Sequence, residues 1–117
     1  MRNPETVQKA ASADVLLGEV VQRIVAVAQP DQIILFGSAV RGEMGPDSDL
    51  DLLVIKSGVE HRGRLASEIY RRLIGIPVPV DVLVVTPENV EYLRDKVGSV
   101  VAPALREGRV VYGAEAP

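Results

Sequence analysis

The chain has 117 residues, of which 47% are hydrophobic and 25% charged, and a formal net charge of −3. That composition suits one globular domain with a real core, and its acidic balance and 3% aromatic content argue against a general electrostatic or stacking grip on nucleic acid. With no cysteine and His61 as the one histidine, disulfides, thiolate metal sites and multi-histidine zinc sites are excluded.

No apolar run reaches the ~18 residues of a membrane span. The first residues lack the charged start, apolar centre and small-residue cleavage site of a signal peptide. The cytoplasm is therefore the expected location. A single domain is expected over 1–117, with flexible ends at 1–11 and 113–117.

Asn3-Pro4-Glu5 fits a helix N-cap followed by proline at the first helical position, so residues 1–11 are either a frayed start or an early helical turn. From Ser12 the pattern is helical: Leu17, Val20, Val21, Ile24, Val25 and Ala28 recur at three and four residues. Pro30 ends this helix, because a residue before proline disfavours helical geometry. Ile33-Ile34-Leu35-Phe36 is an apolar run closed by Gly37 and reads as a buried strand. Residues 38–43 read as a short helix or turn, followed by a loop over 44–47.

Residues 49–55 form the next predicted strand. Leu50, Leu52 and Val54 face one way; Asp49, Asp51, Leu53 and Ile55 face the other. A helix is expected over 60–74, with Leu65, Ile69 and Leu73 on one stripe beside Ala66 and Tyr70, broken by Gly75 and Pro77. Val78 to Val85 is a valine-rich strand containing Asp81. Thr86-Pro87-Glu88 opens a helix to about Val97, with Thr86 as N-cap. A last helix near 99–107 stops at Gly108, and Arg109 to Tyr112 makes a short strand. Tyr70 and Tyr92 are expected to pack, whereas His61 and arginines 62, 64, 71 and 72 are expected to face solvent.

Three acids stand inside apolar strands, where charge is depleted and costly to bury unless paired or bound to metal. Asp49 and Asp51 share a strand face about 6–7 Å apart, from the strand rise. That arrangement suits one or two hard cations carried on substrate phosphates, and magnesium prefers such oxygen ligands. A neighbouring strand would bring Asp81 to the same place, to ligate the metal or accept the proton of an attacking hydroxyl. Gly37-Ser38, at a strand end leading into a helical turn, offers backbone N–H groups and a hydroxyl to phosphate oxygens.

Gly37-Ser38, ten intervening residues, Asp49-Leu50-Asp51, then Val80-Asp81-Val82 resemble the nucleotidyltransferase superfamily with the DNA-polymerase-β-like palm, and within it the minimal nucleotidyltransferase (MNT) branch. Arg41-Gly42 after the Gly-Ser and Pro46-Asp47-Ser48 before the first acid match as well. The resemblance covers roughly residues 12–112. It implies an α/β (α+β) fold, a mixed sheet flanked by helices. It also implies a transfer of a nucleoside monophosphate with two Mg²⁺, in which Asp49, Asp51 and Asp81 are the catalytic, metal-holding acids. Gly37 and Ser38 would contact the triphosphate of ATP, and Arg41 is expected beside it.

MNT proteins of this size are often antitoxins whose partner is a HEPN-type toxin. The resemblance thus implies protein adenylyltransferase activity, AMP passing from ATP to a tyrosine hydroxyl of that toxin. Two rival readings stay open: a non-catalytic antitoxin that masks its toxin by binding, and transfer to RNA or a small molecule. The absence of a second domain and the low positive charge weigh against the last.

Overall fold

The structure of the chain, a computed structural model, describes residues 4–40 and 49–114, with side chains from Asp14 onward. The first helix, α1, runs over Pro4–Ala28. Of the two readings of the start, the early helical turn is the one observed, with Pro4 as the first helical residue. Val20, Ile24 and Ala28 are buried, with Leu17, Val21, Val25 and Val27 packed beside them. Gln29 then takes a left-handed conformation (φ 46°), its N–H reaching the Val25 carbonyl at 3.0 Å. Pro30 follows and forbids another turn.

Among the described residues, strands β1 (Gln32–Phe36), β2 (Leu50–Ile55), β3 (Val80–Val85) and β4 (Arg109–Gly113) form one sheet in the order β3-β2-β1-β4. β1 is antiparallel to β2 and to β4, whereas β2 and β3 are parallel. The parallel pair needs a long crossover. Helix α2 (Arg62–Arg72) supplies it. The sheet is therefore mixed and flanked by helices, as the resemblance implies.

Both faces of β2 are used. Leu50, Leu52 and Val54 join Ile33, Leu35 and Val84 under α1 and α2, where Ile69 and Leu73 close the core. On the opposite face, Leu53, Ile55, Ile34 and Val85 lie under helices α3 (Pro87–Leu93) and α4 (Val101–Glu107). Full burial of a side chain such as Ile24 or Leu52 is worth roughly 1.5–3 kcal/mol, so these two layers hold the sheet. Thr86 caps α3 reciprocally: its Oγ1 accepts from the Asn89 N–H at 3.1 Å and its N–H donates to Asn89 Oδ1 at 3.0 Å.

Two expectations are corrected. α3 ends at Leu93 rather than near Val97, because the chain turns there: Lys96 N–H bonds the Leu93 carbonyl, Ser99 N–H bonds the Lys96 carbonyl, and Gly98 sits at φ +85°. Tyr92 does not pack; it is 68% exposed, with Lys96 Nζ 4.6 Å from its ring centre. His61 and the four arginines of α2 are exposed, as expected.

Polar ties also fasten the elements. Arg23 of α1 donates from one guanidinium nitrogen to the carbonyls of Arg72, the last residue of α2, and Ile74, just after it, each at 3.0 Å. Asp31, just before β1, accepts from the N–H (2.7 Å) and the hydroxyl of Ser57, just after β2. The Ser57 hydroxyl bond, then its N–H bond, hold the Asp31 carboxyl below the ordinary aspartate range. Among the described residues no helix is long and apolar enough to cross a membrane.

Candidate active site

The candidate site lies where the C-terminal end of β1 meets the N-terminal ends of β2 and β3. The register makes it. Phe36 pairs with Asp51 across the antiparallel pair, and Asp51 pairs with Asp81 across the parallel pair. Residues in direct register share a sheet face, about 4.8 Å apart between strands. Asp51 and Asp81, 30 positions apart in the chain, are thus nearest cross-strand neighbours. Asp49 stands immediately before β2, two residues from Asp51, and the Leu50 N–H bonds the Pro79 carbonyl at 2.9 Å to hold that entry against β3.

These acids share their face with Leu53, Ile55 and Val85, but the cover stops short of them. α3 and α4 pack over the far half of the face; Leu83, two residues beyond Asp81, is 37% exposed. Asp81 is exposed on an edge strand, and Asp49 and Asp51 are half-buried. The desolvation cost that the sequence pattern threatened is therefore largely avoided, and the face remains open to a ligand.

Gly37 follows β1 directly and, with Ser38 and Ala39, forms a 3-10 turn closed by the Val40 N–H on the Gly37 carbonyl at 3.2 Å. Its φ of +78° is a region that L side chains rarely adopt. There is a second reason for glycine here. A Cβ at position 37 would collide with the Asp51 carboxyl group, lying 3.2 Å from its Cγ and closer still to Oδ2. The sequence suggests that this glycine admits phosphate. The structure shows that it also makes room for the Asp51 carboxylate, a role visible only once the β1–β2 register is known. Ser38 is half-buried in the same turn. Arg41 lies outside the described residues, as does the loop expected over 44–47.

The donor set is all oxygen, which suits a hard cation. Among the described residues no three acidic or histidine side chains converge into a preassembled metal cage. Magnesium does not require one, since it commonly takes one or two carboxylates and fills its remaining positions with water and substrate phosphates. Asp49, Asp51 and Asp81 around an open face fit that mode. A separate open hollow of about 670 Å³ lies between the start of α2 and β3, lined by Arg62, Arg64, Ala66, Val82 and Val84 among others. None of the three acids lines it.

Residues 16–97, more than two thirds of the chain and all of the site, match the family model of the nucleotidyltransferase domain. The chain belongs to that family. Among solved structures, this nucleotidyltransferase-domain chain is similar to a protein from Sulfolobus solfataricus described as a nucleotidyltransferase. The TM-score is 0.54 at 22% identity, over 82% of this chain and 86% of that one. It is also similar to a chain of a toxin–antitoxin solved with AMP-PNP, with a TM-score of 0.50 at 23% identity over 83% of this chain and 73% of that one. At these identities the likeness establishes a shared fold. No curated protein matches the chain in sequence.

Proposed function

We propose that this nucleotidyltransferase-domain chain is a cytoplasmic, Mg²⁺-dependent enzyme that transfers AMP from ATP to a hydroxyl of a partner protein and thereby acts as an antitoxin. The observation that carries the catalytic part is the register that sets Asp81 beside Asp51, with Gly37 against the Asp51 carboxylate. The toxin partner is supported by the shared fold with a chain of a toxin–antitoxin. Its HEPN type and the tyrosine acceptor rest on the family resemblance.

In this reading Gly37 and Ser38 hold the triphosphate at the 3-10 turn, and Asp49 and Asp51 hold Mg²⁺, two ions in the full complex. When bound, the metal neutralises charge that builds on the phosphoryl oxygens. Asp81 stands on the exposed edge, where an acceptor can approach, and takes the proton of the attacking hydroxyl. That oxygen bonds to the α-phosphorus, the bond between the α-phosphorus and its bridging oxygen breaks, and pyrophosphate leaves. Positioning and charge neutralisation carry the catalysis.

The test is direct. The purified chain is incubated with a HEPN-type protein as candidate partner, Mg²⁺ and each nucleoside triphosphate in turn, and that protein is weighed by mass spectrometry. A gain of one or more AMP units is expected with ATP, and none with the Asp51→Asn variant, whose fold should be unchanged by circular dichroism. Transfer retained by Asp51→Asn would sink the catalytic assignment. Silencing of the partner by that variant without any mass gain would favour masking instead.

A further inference from the structure

β3 carries Asp81, yet among the described residues it is the edge strand of the sheet, with β2 as its one strand neighbour. Its inner edge is in use: the Pro79 and Val85 carbonyls at its two ends accept from Leu50 and Lys56 of the β2 side. In a strand, successive residues point their backbone groups to opposite edges, so those of Val80, Val82 and Val84 point outward. At Val82 that outward edge is occupied. The Tyr70 hydroxyl of α2 accepts from the Val82 N–H at 2.7 Å and lies 3.4 Å from the Val82 carbonyl oxygen, to which it donates. One phenol thus meets both backbone groups that a further strand would have met.

Among the described residues this is the one side-chain hydrogen-bond tie between α2 and β3. Toward the start of α2 the space between the two elements opens into the hollow lined by Arg62, Arg64, Ala66 and Val84. Tyr70 is 42% exposed, so its hydroxyl bond, rather than deep burial, marks its role. Asp81 directly precedes Val82. An edge strand is otherwise free to fray, and displacement of a reacting group by ~1 Å can cost about a hundredfold in rate.

We infer that Tyr70 is a positioning residue for Asp81: its hydroxyl stands in for a missing fifth strand and holds the edge strand so that the Asp81 carboxylate stays in register with Asp51. The inference rests on the nucleotidyltransferase reading of the carboxylates. A purely protective role, in which Tyr70 only blocks the edge against foreign strands, would leave the Asp81 carboxylate indifferent to the hydroxyl.

The Tyr70→Phe variant removes the hydroxyl and keeps the ring. Amide hydrogen exchange, read by nuclear magnetic resonance, should quicken at Val82 by about fivefold, the equivalent of one ordinary hydrogen bond, with β1 and β2 unchanged. Carbon-detected spectra of the aspartate carboxyl groups, with Mg²⁺ and ATP as the probe, read the carboxylates themselves. In the parent the carboxyl signals of Asp49, Asp51 and Asp81 should shift; in Tyr70→Phe the first two should shift as before and that of Asp81 clearly less. Unchanged exchange at Val82 overturns the inference. Faster exchange with an unchanged carboxyl shift at Asp81 also overturns it and leaves Tyr70 as an edge guard. Absence of a carboxyl shift at Asp49 and Asp51 in the parent overturns the nucleotidyltransferase reading itself, and the positioning role with it.

Discussion

Replacing Gly37 by alanine separates two consequences of one glycine. The left-handed conformation at φ +78° costs an L residue roughly 1–2 kcal/mol. Gly58 offers a control: its φ is +76°, and a Cβ there meets nothing within 4 Å. Gly37→Ala and Gly58→Ala therefore share the backbone penalty, which lowers the melting temperature by roughly 4 °C per kcal/mol in a domain of this size. Gly37→Ala alone pushes on the Asp51 carboxyl, whose Cγ lies 3.2 Å from the added carbon. That carboxylate must rotate away, at an added cost of about 1–3 kcal/mol for overpacking. If Asp51 holds the metal on the nucleotide, a loss of about 1.4 kcal/mol there is a tenfold loss of affinity. Thermal melts followed by circular dichroism, with calorimetric titration of Mg²⁺ and a non-hydrolysable ATP analogue, read both quantities. Gly58→Ala should melt earlier and bind like the parent; Gly37→Ala should melt earlier still and bind at least about tenfold more weakly. Equal affinity in the two variants would refute the argument that Gly37 exists to seat Asp51.

Acid should loosen the chain partly through Asp31. Its folded pKa is lowered, chiefly by the Ser57 hydroxyl and then by the Ser57 N–H. Its ionised form therefore stabilises the fold fully above the ordinary value of about 3.9, and the benefit disappears as pH falls through the lower folded value. Urea melts of Ser57→Ala should show a shallower loss of stability below about pH 4 than the parent; parallel acid limbs would contradict this. Arg23→Met should cost about 1 kcal/mol, because it frees the Arg72 carbonyl at the end of α2 and the Ile74 carbonyl just after it, in a half-exposed place; an unchanged denaturation midpoint would show the clamp to be idle. Gly18→Ala, on an exposed stretch of α1 with open space at the Cβ, should raise stability by roughly 0.5–1 kcal/mol; a drop in melting temperature would mean that this surface is covered in solution.

Much of this was legible in the chain, for physical reasons that also mark the limit. The alternation in β2 assigned Leu50, Leu52 and Val54 to one face and Leu53 and Ile55 to the other because a strand has a strict period of two. Thr86 and Pro87 announced α3 through local capping chemistry. α3's end was not legible: Val97 extends the helical spacing, and only turn bonds to Leu93 and Lys96 stop it. The pairing of Asp51 with Asp81 depends on which strands become neighbours after the α2 crossover, and nothing local encodes that register. The same holds for the contact of Gly37 with Asp51, set by the antiparallel β1–β2 pair. Tyr70 reads as a helix residue bound for packing; its backbone bonds depend on β3 being an edge.

The uneven covering of the sheet has an evolutionary consequence. One face, under α1 and α2, holds the larger apolar core; the other is roofed only over half its length. Substitutions around the open half, at positions such as Leu83, cost little folding free energy because little is packed upon them. Selection can therefore reshape that open rim while the opposite layer keeps the chain folded. A scaffold arranged this way can change what its open face meets without first acquiring compensating mutations.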